Sequence, residues 1–442
     1  MKKYDEYKPT NIDFLDEIPK KWTEIRMRFL GYLYGGLSGK SATDFNQSEN
    51  EQNKCFIPFT NIANNFRINP ENLQTVLISK EESQNTVQQG DLFFLMSSEN
   101  YEDVGKSAVL VDDLGEAYLN SFCKGFRITN KDVVPEFLNY QLHSKQLRHN
   151  LLIGANGFTR INLKIDKVID LLIALPSPTE QTAIASYLDR KTTEIDELIA
   201  DKKRLLELYE EEKAAIINQA VTKGINSDAP MKDSGIEWLG EIPEHWEVKR
   251  LKYVASINDE VLTEKTDEDY KIEYVEISGV KSGIGITETV NYRFKDAPSR
   301  ARRIARDGDV LVSTVRTYLK SIAKVDNPPE NLIVSTGFAV VRSKNIDSDY
   351  TGYLFYSEML IGEIISLSTG VSYPAINSSQ IGDIKIPIPP NGEQQSIVHY
   401  IETECGKIDA KIEKTKKLIT LLTEYRTALI SEVVTGKIKV ID

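Results

Sequence analysis

Arginine and lysine can hold phosphates or read guanine edges, and serine, threonine and tyrosine add shorter hydrogen bonds that orient a contact. The chain concentrates these residue types between Arg293 and Lys324. The basic residues there are Arg293, Lys295, Arg300, Arg302, Arg303, Arg306, Arg316, Lys320 and Lys324, against Asp296, Asp307 and Asp309, a balance of 9 − 3 = +6. The formal charge of the 442-residue chain is 54 − 66 = −12, so any contact with nucleic acid must draw on such a local patch. Its centre, GDVLVSTVRTYLKS (308–321), reads as a Gly-Asp turn, an apolar strand and a polar loop. Arg300, Arg302, Arg303, Thr314, Arg316, Tyr318 and Lys320 are the candidate DNA contacts here, with a solvated charged face as the alternative.

The first half of the chain has a matching loop. GDLFFLMSSENYEDVGKSA (90–108) sets Ser97, Ser98, Asn100, Tyr101 and Lys106 after the same kind of strand, a less basic set that would lean on amides and hydroxyls. Two later turns, NGFTRIN (156–162) and GVSYPAIN (370–377), add Asn156, Arg160 and Asn162, and Tyr373 and Asn377. For these five, a DNA contact and a turn cap stand side by side. Lys40 completes the candidates. It lies in YGGLSGKS (34–41), which falls short of a phosphate loop because its first glycine position is Tyr34 and no strong apolar strand precedes it. A flexible surface loop is expected there.

No constellation for catalysis or metal binding emerges. Asp326-Asn327-Pro328-Pro329 is followed by Glu330 instead of an aromatic that could stack on a flipped base. His143, His149, His245 and His399 lack metal-ligand spacing, and nothing pairs a nucleophile with a base. Cys55, Cys123 and Cys405 are far apart and odd in number, which fits a reduced cytoplasmic protein. The start, MKKYDEYKPTNIDFL, lacks a signal-peptide core, and no apolar run approaches the ~20 residues of a membrane span.

The elements that must position these loops come in duplicate. IDFLDEIPKKWTEIRMRF (12–29) matches IEWLGEIPEHWEVKRLKY (236–253) at an offset of 224, and residues 180–222 match 393–435 at an offset of 213 with 15 identities in 43 positions. Weaker echoes pair Gly90-Asp91-Leu92 with Gly308-Asp309-Val310, and Gly125-Phe126 with Gly337-Phe338. Each half is thus a variable block followed by a helical repeat.

From Glu180 to about Gln219, and again after Glu393, the pattern predicts helices of roughly 40 residues, each about 60 Å long. Leu188, Thr192, Ile195, Ile199, Lys202, Leu206, Tyr209, Lys213, Ile216 and Ala220 form a heptad seam in the first. Ile401, Cys405, Ile408, Ile412, Thr415, Ile419, Leu422, Arg426, Leu429 and Val433 form it in the second. Polar residues interrupt both at matching places, Lys202 with Thr415 and Lys213 with Arg426, a device that can fix register. LPSPTEQ (175–181) and IPIPPNGEQ (386–394) would stop a strand and start a helix. Glu180 and Glu393 then suit the helix dipole in a purely structural role. Trp22 and Trp246, in the repeated I-P-x-x-W, read as core anchors.

These motifs, in this order and duplicated, resemble the specificity subunit (HsdS) family of type I restriction-modification systems. The resemblance rests on I-P-x-x-W opening each half, G-G-L-S-G-K-S, G-D-[LV], I-P-I-P-P-x-x-E-Q, I-D within the helix and V-T-G-K at its end. ALPSPTEQ and VTKG are the first half's departures. It implies an α+β fold of two tandem mixed target-recognition domains separated by two long antiparallel helices in pseudo-two-fold symmetry. The expected boundaries are residues 1–178 for the first domain, 179–224 for the first helix, 225–391 for the second domain, and 392–442 for the second helix and tail.

Such a chain would be a non-catalytic, cytoplasmic subunit that reads a bipartite, asymmetric double-stranded DNA target. The resemblance also implies its partners: two modification subunits using S-adenosylmethionine, and two restriction subunits using ATP and Mg²⁺. The chain itself is expected to hold no cofactor or metal and to meet no membrane. From Glu180 to Lys213 there are 10 acidic and 6 basic residues, a surface suited to protein partners. The competing reading is a coiled-coil scaffold whose variable domains bind proteins.

Overall fold

The computed structural model describes residues 2–46, 52–153, 155–157 and 159–441. It divides into two compact units, Met1–Lys202 with Lys417–Asp442, and Lys203–Lys416. The division runs through both long helices, so each unit owns part of each.

In the first unit, a four-stranded antiparallel sheet has the order Gly31–Gly35, Cys123–Ile128, Leu92–Leu95, Ser107–Val109. A second sheet runs Ala117–Leu119, Asn53–Ile57, Gln74–Leu77, its first pair parallel. A small sheet orders Ala155–Asn156, Ile161–Leu163, Ser97–Ser98. Thr23–Arg26 pairs with Leu172–Leu175, the strand that leads into the first long helix.

The second unit repeats this plan. Its four-stranded antiparallel sheet runs Ala255–Ile257, Phe338–Ser343, Val310–Ser313, Ile322–Lys324, the same order. Its second sheet, Val290–Arg293, Lys271–Val275, Leu332–Ser335, Ala301–Ile304, again contains one parallel pair, and it gains an edge strand. Glu247–Arg250 pairs with Lys385–Ile388, which leads into the second long helix.

The apolar runs LFFL and VLVS are central strands, buried on both faces. Leu92 and Phe94 enter one core, Phe93 and Leu95 another; Val310 and Val312 likewise part from Leu311. This is the two-residue period of a strand.

The long helices run Pro178–Lys223 and Asn391–Val434, 46 and 44 residues, slightly longer than the pattern predicts. Every seam position is buried or half-buried. In the second unit, Ala220 and Val221 at the end of one helix share a core with Ile397 and Ile401 near the start of the other, which makes the pair antiparallel. The polar interruptions have partners across that seam. Lys213 reaches Asp409 at 2.7 Å in the second unit, and Arg426 reaches Asp196 at 2.8 Å in the first. These aspartates are the repeated I-D.

One echo is out of step. Gly125 faces Phe93 on the neighbouring strand, whereas Phe338 faces Ser313, the counterpart of Leu95. Phe338 therefore occupies the place of Cys123, and the Gly-Phe match is three residues off register. The expectation of a shared scaffold position there is corrected. The true duplicate on these strands is an ion pair. Arg127 clamps Asp91 through Nε at 3.0 Å and a terminal nitrogen at 2.7 Å, and Arg342 clamps Asp309 the same way at 2.8 Å each.

Candidate nucleic-acid interface

The second unit's candidate loop grows from the end of Val310–Ser313. Thr314 is buried, and its hydroxyl and backbone N–H both donate to the Gly337 carbonyl at 2.8 Å, tying the strand end to its neighbour. Arg316 and Lys320 are both left-handed, with φ of 49° and 52°, on either side of the single turn Thr317–Leu319. Left-handed backbone is costly for such residues and persists only where surroundings enforce it. The enforcing contact is the Arg316 N–H donated to the Pro374 carbonyl at 2.7 Å. The Arg316 guanidinium then lies 4.7 Å from the centre of the Tyr373 ring. Tyr318, Leu319 and Tyr373 are exposed around it. The same tip borders an open cleft whose lining includes Ile277, Val280, Arg300 and Val315.

The other cations of the stretch are engaged within the fold. Arg300 pairs with Glu276 at 3.0 Å, and Arg306 with Glu260 at 2.9 Å. Arg293 and Lys295 share Asp269, Lys320 holds Glu358 at 2.6 Å, and Lys324 holds Asp349 at 2.5 Å. Arg302 lies 4.7 Å over Phe294 and 3.8 Å from Glu264. Arg303 turns inward, donating to Asn258 Oδ1 at 2.5 Å and to the Phe338 carbonyl, and its burial disfavours the charged form. The acids Glu260, Glu264, Asp269, Glu276, Asp349 and Glu358 all lie outside 293–324, so folding offsets the positive balance counted along the sequence. Asn377 precedes the helix Ser378–Asp383, where Gln380 accepts its N–H at 2.9 Å.

In the first unit, the small sheet brings three candidates into one row. Asn156 faces Asn162 across one strand pair, and Asn162 faces Ser97 across the next. Asn156 and Asn162 are exposed, and the Asn162 amide donates to the Arg160 carbonyl at 3.1 Å. Arg160 lies 4.7 Å over the ring of Phe122, a half-exposed residue that the sequence reading passed over. Ser98 is buried and its hydroxyl accepts from the Asn100 N–H at 3.4 Å. Asn100 and Lys106 both engage Asp103, and Tyr101 stands exposed beside them. Phe158 of the NGFTRIN turn lies outside the described residues.

Lys40 is not at the surface tip expected of a flexible loop. Its ammonium donates to the Leu77 carbonyl at 2.5 Å and pairs with Glu82 at 2.5 Å, and only 7% of the side chain is exposed. This contact holds the Glu82 carboxyl down at about 2. Leu37 in the same loop is buried and its N–H donates to the Leu119 carbonyl.

Among the described residues no cluster of three His, Cys, Asp or Glu side chains could hold a metal ion, and no helix is long and apolar enough to cross a membrane. The three cysteines are free.

The family model for the type I restriction modification DNA specificity domain matches the chain twice, over residues 35–208 and 243–423. The chain is 25% identical over 365 residues to the type I restriction enzyme MjaVIII specificity subunit of Methanocaldococcus jannaschii, covering 80% of each. It is 26% identical to the putative MjaX specificity subunit of the same organism, over 99% of this chain and 98% of that one. The EcoDI specificity subunit of Escherichia coli is 21% identical over 75% of this chain and 78% of that one. Among solved structures, a chain from a study of assembly and conformational transition of the type I R-M system superposes with a TM-score of 0.71 at 17% identity, covering 95% of this chain and 99% of that one. The HsdS subunit from Thermoanaerobacter tengcongensis gives 0.56 at 16% identity, over 95% and 98%. With two family matches that together span most of its length, the chain belongs to the DNA specificity family of type I restriction-modification systems.

Proposed function

We propose that this chain selects the DNA sequence on which a type I restriction-modification complex acts, each unit reading one half of a bipartite, asymmetric target. The observation that carries the reading is the double family match on two units that share one sheet order but have diverged in their loops. Diverged halves free the two half-sites from being palindromic, unlike those of a homodimer. The seam between the long helices would set the unspecified spacer, and the helices, the first of them acidic from Glu180 to Lys213, would dock two modification subunits that use S-adenosylmethionine. Two restriction subunits using ATP and Mg²⁺ would complete the cytoplasmic assembly. The chain's own part is recognition without catalysis. The scaffold alternative, with protein-binding variable domains, gives way to family membership.

The test is co-expression with the modification subunit, followed by genome-wide mapping of methyladenine by long-read sequencing. A bipartite motif with a fixed gap is the expected result. A soluble, full-length complex that leaves no methylated motif would overturn the reading. DNA binding should also weaken with rising salt, with a slope that reports several phosphates.

A further inference from the structure

Of all the arginines in the chain, Arg160 and Arg316 alone have a guanidinium with neither a carboxylate nor a carbonyl partner among the described residues. Every other arginine is paired: Arg127 and Arg342 with buried aspartates, Arg303 with Asn258 and a carbonyl, Arg148 with the Glu102 carbonyl, and the rest with acids or backbone at the surface. One of the two unpaired guanidinia falls in each unit. Both lie 4.7 Å from the centre of an exposed aromatic ring, Phe122 for Arg160 and Tyr373 for Arg316. Arg160 sits in the turn between Ala155–Asn156 and Ile161–Leu163, and Arg316 in the loop after the central strand Val310–Ser313.

The two pairs are not copies of one motif. Leu163 donates its N–H to the Met96 carbonyl as Ile376 does to that of Thr314. This register sets Arg160 at the place of Tyr373, and Ser98 at the place of Arg316. The first unit supplies arginine from the later turn and the second from the hairpin tip, yet each builds the same object. A stacked guanidinium has its side chain fixed in advance, while its N–H groups remain free for a planar, two-acceptor partner. In duplex DNA that partner is O6 and N7 of guanine, presented in the major groove. A phosphate would need no stacking platform, and a lysine would serve it as well.

We propose that Arg160 and Arg316, each held by its aromatic platform, are base-reading residues and that each specifies a G·C pair in its own half-site. The proposal rests on the half-site reading above. It requires the methylated motif of the wild-type complex to contain at least one G·C pair in each half. Arg316→Gln should then relax one such position, or turn it toward A·T, in one half-site only, and Arg160→Gln should do so in the other. In binding to duplexes substituted at that pair, discrimination should fall by about 10- to 100-fold. Tyr373→Ala and Phe122→Ala should weaken the same positions while leaving the arginines in place.

A motif unchanged by both glutamine variants overturns the proposal. So does equal weakening on all sequences with a salt slope lowered by about one, which marks a phosphate contact. A wild-type complex with no bipartite motif removes the half-site reading itself, and the proposal with it. Unpaired surface arginines carry little stability, so thermal unfolding of the glutamine variants should match wild type.

Discussion

Trp246 is fully buried, and its indole N–H donates to Glu393 Oε1 at 3.1 Å. Trp22 does the same with Glu180 at 3.3 Å, where the Tyr4 hydroxyl also donates at 2.7 Å. The glutamate that the sequence assigns to the helix dipole is thus also the acceptor that fixes the tryptophan of I-P-x-x-W. The helix-end glycines close the other side. Gly224 and Gly436 are left-handed, with φ of 75° and 76°, and a Cβ on Gly436 would lie 2.3 Å from Pro19 and 3.4 Å from Trp22. The neighbouring Gln181 and Gln394 are buried, and accept the N–H groups of Val134 and Asp347 at 2.8 Å. Three separated motifs are one joint in each unit. Glu393→Ala should strand the buried indole donor and cost about 1–3 kcal/mol. Glu393→Gln keeps an acceptor and should cost less. Urea unfolding followed by tryptophan fluorescence separates them, and equal losses would refute the role of this bond.

The buried pair Asp309–Arg342 predicts a larger loss. The Asp309 side chain is 1% exposed and also accepts the Arg306 N–H at 2.7 Å. Arg342→Ala would leave that carboxylate buried and unbalanced, a change worth about 3–5 kcal/mol. Asp309→Ala should cost less, because Arg342 keeps Glu260 at 2.5 Å, and the double variant should cost well below the sum of the two because they act as one unit. Additive losses in thermal unfolding would contradict the coupling.

His143 makes the first unit sensitive to acid. Its Nε2 lies 2.8 Å from the Ser107 carbonyl, a bond the neutral ring makes with its proton on Nε2. Burial, with Arg148, Arg426 and Lys106 nearby, pushes its pKa from 6.5 down to about 4. Below pH 6.5 the unfolded chain therefore takes up a proton that the folded chain refuses. Stability should fall as pH drops from 6.5 to 4, by about 3 kcal/mol from this residue. His143→Gln retains a donor without the titration, so the wild-type minus variant difference should shrink on acidification. A pH-independent difference would exclude the effect.

The duplication, the seams, the tryptophan anchors and the central apolar strands are legible in the sequence because each depends on short-range periodicity or on an internal repeat at a constant offset. What escaped depends on pairings between distant segments. Asp91 and Arg127 lie 36 positions apart on neighbouring strands. No local pattern announces Arg127, although the repeated Gly-Asp announces its partner. The charge balance of 293–324 along the chain leaves out, for the same reason, Asp269, Glu276 and Glu358, which arrive from other elements. The loop of Lys40 reads as a flexible surface loop because nothing local shows Glu82 and Leu77 closing over the lysine. Phe122 carried only one signal, an aromatic directly after the Asn120-Ser121 turn, where Asn120 accepts its N–H at 3.0 Å.

The polar seam residues give a prediction with its own internal control. Lys213 and Arg426 occupy equivalent positions in the two helices, as do Asp196 and Asp409, and the structure pairs Lys213 with Asp409 in one unit and Arg426 with Asp196 in the other. Both aspartates are more than half exposed, so deleting either one should cost only about 0–1 kcal/mol. Reversal is the sharper probe, because Asp409→Lys sets two ammonium groups against each other at a half-buried seam. That variant should be less stable than Asp409→Ala, and adding Lys213→Glu should restore most of the loss by exchanging the charges. If the exchanged pair is no better than Asp409→Lys alone, these residues do not meet in solution and the register of the helix pair is held by Ile408, Ile412 and their apolar neighbours without them.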